Sequence, residues 1–267
     1  MKVSGFTFIR NAILYDYPIV EAITSILPIC DEFIVAIGHS DDQTTALINS
    51  INSPKIKIIP TVWDDTLRAG GRVLAVETDK AFAAIASDSD WCFYIQGDEC
   101  VHEKYLPIIK EAMELNLLDK RVEGLLLNYL HFYGSYDFIG TARKWYRNEI
   151  RIIRNNKNIS SFRDAQGFRI DNRKLNVKKI AAAVYHYGWV KHPEKQQAKA
   201  ETFNKLWHSD QWVEKNIPKV SGFDYSNVDG LKRFTESHPA VMKNRIAAIN
   251  WEFTVDPTIK KMKLKKW

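Results

Sequence analysis

Cysteine is scarce: Cys30, Cys92 and Cys100 are the only three in 267 residues, they form no C-x-x-C pair, and an odd number completes no disulfide framework. Zinc-ribbon and disulfide-scaffold classes are thereby set aside, and a reducing, cytoplasmic setting is the expectation. No uninterrupted apolar stretch approaches the roughly 18 residues of a spanning helix, since even 124–133 is broken by Asn128 and His131. Arg10 and Asn11 interrupt the first apolar stretch too early for a secretory signal, so the N-terminus is expected to be mature and any membrane association peripheral. Repeats and low-complexity linkers are absent. So is a Gly-rich loop after the first apolar segment, where Arg10-Asn11-Ala12 stands instead. That absence argues against a nucleotidyltransferase, whose triphosphate needs such a loop.

What the chain does have is ample material for a core, with 45% hydrophobic residues. Its formal charge of +6 hides a split: residues 1–119 carry nine Lys/Arg against eighteen Asp/Glu, and 120–267 carry twenty-nine against fourteen. The basic half mixes Lys with Trp and Tyr, which makes nucleic-acid binding a minor alternative; no nucleic-acid partner is expected. The densest basic cluster, Lys260, Lys261, Lys263, Lys265 and Lys266 around Met262 and Leu264, suits either an anionic membrane surface or a solvated tail.

Strand-like and helix-like patterns alternate through the front half. Val3 to Ile9, Phe33 to Ile37, Lys55 to Val62 and Trp91 to Ile95 read as strands; Pro18 to Leu27, Thr44 to Ile51, Arg72 to Ala86 and Tyr105 to Leu117 read as helices, with Asp16 a possible cap for the first. This is the signature of βαβ units and predicts an α/β fold with a mostly parallel central sheet flanked by helices. Past residue 120 the alternation weakens. Gly124 to Phe132, Glu149 to Ile153 and Lys179 to Val190 read as strands, and Glu194 to Val213 as one late helix. One domain is expected, with a nucleotide-facing half over about 1–120, an acceptor-facing half over about 121–220 and a C-terminal extension over about 221–267.

In an open parallel sheet, ligands bind beyond the carboxyl ends of the strands. Two polar loops leave such ends: Gly38-His39-Ser40-Asp41-Asp42-Gln43-Thr44 and Gln96-Gly97-Asp98-Glu99. Asp98, after a buried strand, suits a hard divalent cation, and Gly97 permits close approach of a diphosphate. Arg68 and Arg72, flanking Gly70-Gly71, are candidates to reach phosphate, and Arg10 at the end of the first strand joins the donor contacts. Trp145, Tyr146, Tyr187 and Trp189 are candidates to stack on sugar faces.

Several segments in order resemble the family 2 glycosyltransferases, which have the GT-A fold. Asp90-Trp91 through Gln96-Gly97-Asp98-Glu99 is similar to that family's "DW…DxDE" segment, and Ser40, Asp42 and Thr44 fall where its "DDGSTDGT" loop has serine, aspartate and threonine. Arg151-Ile152-Ile153-Arg154-Asn155 resembles its "R-L-F-R-N" strand, and His186-Tyr187-Gly188 a late "H-Y-G" segment. The resemblance implies transfer of a sugar from a nucleotide-diphosphate donor to a glycan or lipid-linked acceptor, as in polysaccharide biosynthesis, with Mn²⁺ or Mg²⁺ and inversion at the anomeric carbon. Asp98 and His186 would hold the metal. Ser40 and Asp42 would bind the donor and Asp164 would be the general base; from the residues themselves, Arg72, Gln96, Gly97 and Asp98 are further donor candidates, and Glu99 and Trp189 acceptor-side candidates. Gln96 replaces the first aspartate of D-x-D, so Asp98 alone carries over as a charged ligand. That departure motivates the competing reading, a non-catalytic protein that binds a nucleotide sugar or carbohydrate. His131, His192 and His208 are read as structural or solvated.

Overall fold

The computed structural model describes residues 1–228 and 230–254; the Lys-rich cluster from Lys260 to Lys266, and with it the expected membrane contact, lies outside the described residues. The front of the chain alternates as its apolar pattern predicts: β1 Val3–Ile9, α1 Ile19–Ile26, β2 Glu32–Gly38, α2 Thr44–Asn49, β3 Ile56–Thr61, α3 Arg72–Ala83 and β4 Trp91–Tyr94. A short β5, Glu99–Val101, and α4, Leu106–Leu115, complete this half. β2 and β4 are continuous apolar runs because they are buried along their whole length. β3 lies at the sheet edge and is only partly buried, which is where a strand tolerates Pro60. α1 buries Ile19, Ala22, Ile23 and Ile26, one stripe at helical spacing.

The back half holds β6 Gly124–Tyr133, β7 Ser135–Gly140, β8 Asn148–Arg154, β9 Ile159–Phe162, β10 Gly167–Ile170, β11 Arg173–Lys174 and β12 Val177–Trp189. α5 Pro193–Asn204, α6 Asp210–Asn216, β13 Leu231–Arg233 and α7 Lys243–Ala247 follow. The single late helix expected over 194–213 is therefore two. Ser209 ends the continuity by capping α6, its hydroxyl accepting from the Trp212 backbone N–H at 3.3 Å. Asp16 does not cap α1; it sits in the left-handed region and accepts from Arg245 of α7 at 2.5 Å.

The main sheet runs β13-β7-β6-β8-β4-β1-β2-β3, with β12 paired to both β6 and β5. β3, β2, β1 and β4 are parallel neighbours, and β8 joins β4 antiparallel. This 3-2-1-4 order is that of a Rossmann-type sheet, and its antiparallel continuation makes the GT-A-like α/β architecture that the resemblance implies. Helices cover both faces. Ile23 of α1 and Met113 of α4 pack against Phe33, Val35 and Phe93, while Val73 and Phe82 of α3 pack against Phe6, Ile34 and Tyr94. Each fully buried side chain of this size contributes about 1.5–3 kcal/mol. The direction of winding reverses between β1 and β4, so a crevice opens at their carboxyl ends.

Candidate active site

A cavity of about 480 Å³ opens at that crevice, lined by Arg10 as the chain leaves β1 and by Gln96, Gly97 and Asp98 as it leaves β4. The acidic turn is fixed from three sides. The Glu99 N–H donates to the Gln96 carbonyl at 3.0 Å, and the Tyr187 N–H of β12 donates to the Asp98 carbonyl at 2.7 Å. A Cβ on Gly97 would meet the tip of Ile9, Cδ1, at 2.9 Å, so a side chain there would displace the Ile9 side chain packed under the turn. The Gln96 side-chain amide donates to the Ala165 carbonyl at 3.1 Å. An ionised aspartate has no hydrogen to give, which is a physical reason for glutamine where D-x-D has a carboxylate.

Asp98 is 7% exposed. Lys199 of α5 places Nζ 3.1 Å from its Oδ2, and His186 of β12 places Nε2 3.7 Å from its Oδ1. Burial alone would push this carboxyl up, but Lys199, His186 and Lys191 outweigh it and hold Asp98 far below the usual carboxylate range. Burial works the other way on His186 and lowers it against the pull of Asp98, which favours the neutral imidazole. Lys199 stays charged: burial lowers it, but Tyr17 and Asp98 raise it more.

Space beside this cluster is kept by Gly188, whose missing Cβ would lie 2.6 Å from both Asp98 Oδ2 and His186 Nε2. An oxygen and a nitrogen facing this space fit two positions of a Mn²⁺ or Mg²⁺ sphere whose other ligands come from phosphate and water. Among the described residues no three His, Cys, Asp or Glu side chains form a closed cage. His131, opposite His186 in the β6–β12 register, brings its Nδ1 to 3.3 Å from His186 Nδ1. With His186 Nε2 turned to a ligand, its Nδ1–H donates and His131 accepts, so His131 orients the imidazole.

Glu99 has a different place from the one expected. It is fully buried, accepting from Arg151 Nε at 2.9 Å and Nη2 at 2.7 Å, from the Gln96 N–H at 3.1 Å and from the Tyr129 hydroxyl. All its acceptor capacity is engaged, and it does not line the cavity. Its acceptor-side role is withdrawn: it anchors the turn that presents Asp98.

The serine–aspartate loop also turns inward. The Ser40 hydroxyl accepts from the Asn11 N–H at 3.1 Å, and Asp42 accepts from the Ile13 and Leu14 N–H groups at 2.9 and 2.8 Å. Neither lines the cavity. Together they hold the loop after β1, which follows Arg10; the Arg10 guanidinium lies 4.3 Å over the Trp63 ring and 3.0 Å from Asp65. Arg72 is exposed at the start of α3 and does not reach the cavity.

On the far side Asp164 lines the cavity from the β9–β10 turn, between Arg163 at φ 57° and Ala165 at φ 64°. The next turn, between β10 and β11, likewise holds two non-glycine residues in the left-handed region, Asp171 and Asn172, as tight hairpin turns require. Gly71, at φ 69°, lets the start of α3 abut this turn; a Cβ there would lie 2.8 Å from Asp164 Cβ. Trp145, Tyr146 and Trp189 form an aromatic wall, with Trp145 and Trp189 edge to face at 6.1 Å.

A second carboxyl, Glu149 of β8, lines the same wall 3.5 Å from Arg151. Sequence reasoning missed it. Burial pushes it up to about 7, above the ordinary value of 4.5, and Arg151 only partly offsets this. The native state thus binds a proton more tightly than the unfolded chain, so the stability this confers is present below pH 4.5 and lost as pH rises through 7. Glu149→Gln should therefore gain stability relative to the parent between pH 5 and pH 8, by up to about 3 kcal/mol. Melting curves at the two pH values check this; a difference independent of pH would reject it.

No family model and no curated protein matches the chain. Among solved structures, the chain is similar to S. aureus TarS 1-349 in complex with UDP at 13% identity and a TM-score of 0.43, covering 83% of this chain and 68% of that one. It is similar to glucosyl-3-phosphoglycerate synthase from Mycobacterium tuberculosis, in complex with Mn²⁺, UDP and phosphoglyceric acid, at 18% and 0.34, over 49% and 43%. A third likeness is 4-diphosphocytidyl-2C-methyl-D-erythritolsynthase from Anaerococcus prevotii, at 12% and 0.40, over 71% and 89%. The chain spans 39% of the longer TarS structure, at 14% identity, a TM-score of 0.42 and 76% of this chain. Likenesses this loose carry no conclusion about donor or acceptor, which rests on the cavity.

Proposed function

We propose that this chain transfers a glycosyl group from a nucleotide-diphosphate sugar to a hydroxyl acceptor in the β1–β4 cavity. One observation carries the reading: Asp98, His186 and Lys199, from three separate elements, meet at the carboxyl end of the parallel sheet with open space beside them. A buried acid–imidazole–ammonium cluster at this position suits a diphosphate and its cation. Asp98 and His186 would hold Mn²⁺ or Mg²⁺, which when bound supplies charge neutralisation for the departing diphosphate. Arg10 and Trp63 bound the donor side, and the turn at Gln96 and Gly97 brings backbone close to the phosphates.

The aromatic wall of Trp145, Tyr146 and Trp189 suits the apolar face of an acceptor sugar, as in a glycan or lipid-linked saccharide. Asp164 accepts the proton of the attacking hydroxyl. The acceptor oxygen bonds to the anomeric carbon as the bond from that carbon to the diphosphate oxygen breaks, and the electron pair leaves with the diphosphate. Attack opposite the leaving group inverts the centre. Burial raises Asp164 above the ordinary aspartate value, the direction a general base needs. The whole chain, 1–267, serves as one transferase domain in this reading, working at the inner face of the membrane or in the cytoplasm.

The test is release of nucleoside diphosphate from a donor panel, with Mn²⁺ and an acceptor panel. Asp164→Asn should lower kcat by about a hundredfold while leaving the donor KM within a few-fold, because a base acts in the transition state. Near-normal turnover by the variant would remove Asp164 from the base role. Tight donor binding by the parent with no turnover would favour the non-catalytic reading.

A further inference from the structure

We propose that Lys199 is a built-in cation for the leaving diphosphate, so that the site holds a nucleoside diphosphate even without a divalent ion. This rests on the donor-site reading and adds a residue to it. α5 turns Gln196, Lys199 and Phe203, at helical spacing, toward the cavity. The Lys199 ammonium lies 3.1 Å from Asp98 Oδ2 and 3.4 Å from the Gly188 carbonyl, with the Tyr17 ring 4.7 Å beneath it. Its side chain remains 12% exposed, and that exposure is to the cavity.

A buried ion pair holds a fold together no better than a well-packed apolar pair, so stability gives no reason for a lysine here. Function does. Lys199 sits at Asp98 Oδ2, the oxygen that borders the Gly188 space together with His186 Nε2, so without a metal the ammonium itself offsets the carboxylate at the edge of that space. A diphosphate entering the cavity without a metal meets a carboxylate already neutralised, next to an ammonium that can exchange its 3.4 Å contact to the Gly188 carbonyl for a phosphate oxygen. Lys191, fully buried 4.6 Å from the Tyr17 ring, donates to the Asp16 carbonyl, and burial lowers it to about 7, so of the two lysines Lys199 is the cation that faces the cavity.

Calorimetric titration of the full chain with UDP, GDP, CDP, ADP and inorganic pyrophosphate, once in EDTA and once in Mn²⁺, tests this. The parent should bind at least one probe in EDTA. Lys199→Met should weaken that metal-free binding by about tenfold or more, and Lys199→Arg should retain it. Asp98→Asn, which frees the lysine, should bind in EDTA as tightly as the parent or tighter, yet lose the gain that Mn²⁺ gives. Circular dichroism checks folding; if Lys199→Met does not fold, Asp98→Asn/Lys199→Met is compared with Asp98→Asn for the same loss. Parent binding only in Mn²⁺, or metal-free binding unaltered by loss of the lysine, overturns the role of Lys199 alone. No binding in either medium overturns the donor site and Lys199 with it.

Discussion

Asp98→Asn should cut donor turnover in Mn²⁺ by about a hundredfold or more while the protein stays folded. The carboxylate is both the charged metal ligand and the partner that places Lys199, and its loss removes charge stabilisation of the departing diphosphate. Deleting one preorganised electrostatic contact of this type typically costs about 3–4 kcal/mol, and about 1.4 kcal/mol is a factor of ten in rate. Folding should survive because asparagine keeps the shape of the turn, and the Asp98 carbonyl still accepts from Tyr187 at 2.7 Å. Lys199 keeps the Gly188 carbonyl at 3.4 Å and access to the cavity. The assay is nucleoside diphosphate release, read as kcat/KM alongside a melting curve. Turnover within a few-fold of the parent would show that the chemistry lies elsewhere.

Glu99→Gln should be the most destabilising single change in the cavity region, by about 3–5 kcal/mol. Arg151 is 2% exposed, and Glu99 is its bidentate partner at 2.7 and 2.9 Å. Neutralising the acid removes the bidentate partner of a buried guanidinium, leaving it only Glu149 at 3.5 Å and the Ile150 carbonyl, and disturbs the Tyr129 hydroxyl and the Gln96 N–H that share the same oxygens. Native stability is commonly about 5–15 kcal/mol, so a large fraction is at stake. For a chain of this size the melting temperature should fall by about 10 °C. Glu99→Met/Arg151→Met, which removes both charges, should recover much of the loss, and the cycle isolates the pair. A single variant melting within about 2 °C of the parent would contradict the assigned anchor role.

The contrast between Asp98 and Glu99 shows why one was legible in the sequence and the other was not. Both follow an apolar strand, but Asp98 lies in the turn and Glu99 is the first residue of β5, so the two side chains leave in different directions. Asp98 reaches the cavity and Glu99 the buried Arg151, a partner 52 residues away. The front βαβ units were legible because their apolar runs alternate with helical patterns, and β1, β2 and β4 are buried along almost their whole length. β5, β7, β9 to β11 and β13 are two to six residues long and carry too little periodicity to register.

Ser40 and Asp42 look like ligand contacts because short polar side chains populate binding loops, yet the same chemistry satisfies the backbone N–H groups after β1. Lys199 was missed because a lysine in a polar helix is ordinarily solvated. Its signal was the company it keeps at helical spacing, Gln196 and Phe203. Arg151 stood within the R-I-I-R stretch without a role until its partner was seen, and His131 gained one only from the β6–β12 register.

The central claim is that the β1–β4 cavity binds a nucleotide-diphosphate sugar through Asp98. Thermal melting against a panel of UDP-, GDP-, CDP- and ADP-sugars in Mn²⁺ tests it most directly, because a ligand that binds only the native state stabilises it by about 2.7 kcal/mol at a hundred times its Kd. The expected result is an upward shift of about 5–10 °C with at least one donor, reduced or lost in Asp98→Asn. No shift with any nucleotide sugar, or a shift that Asp98→Asn leaves intact, would contradict it.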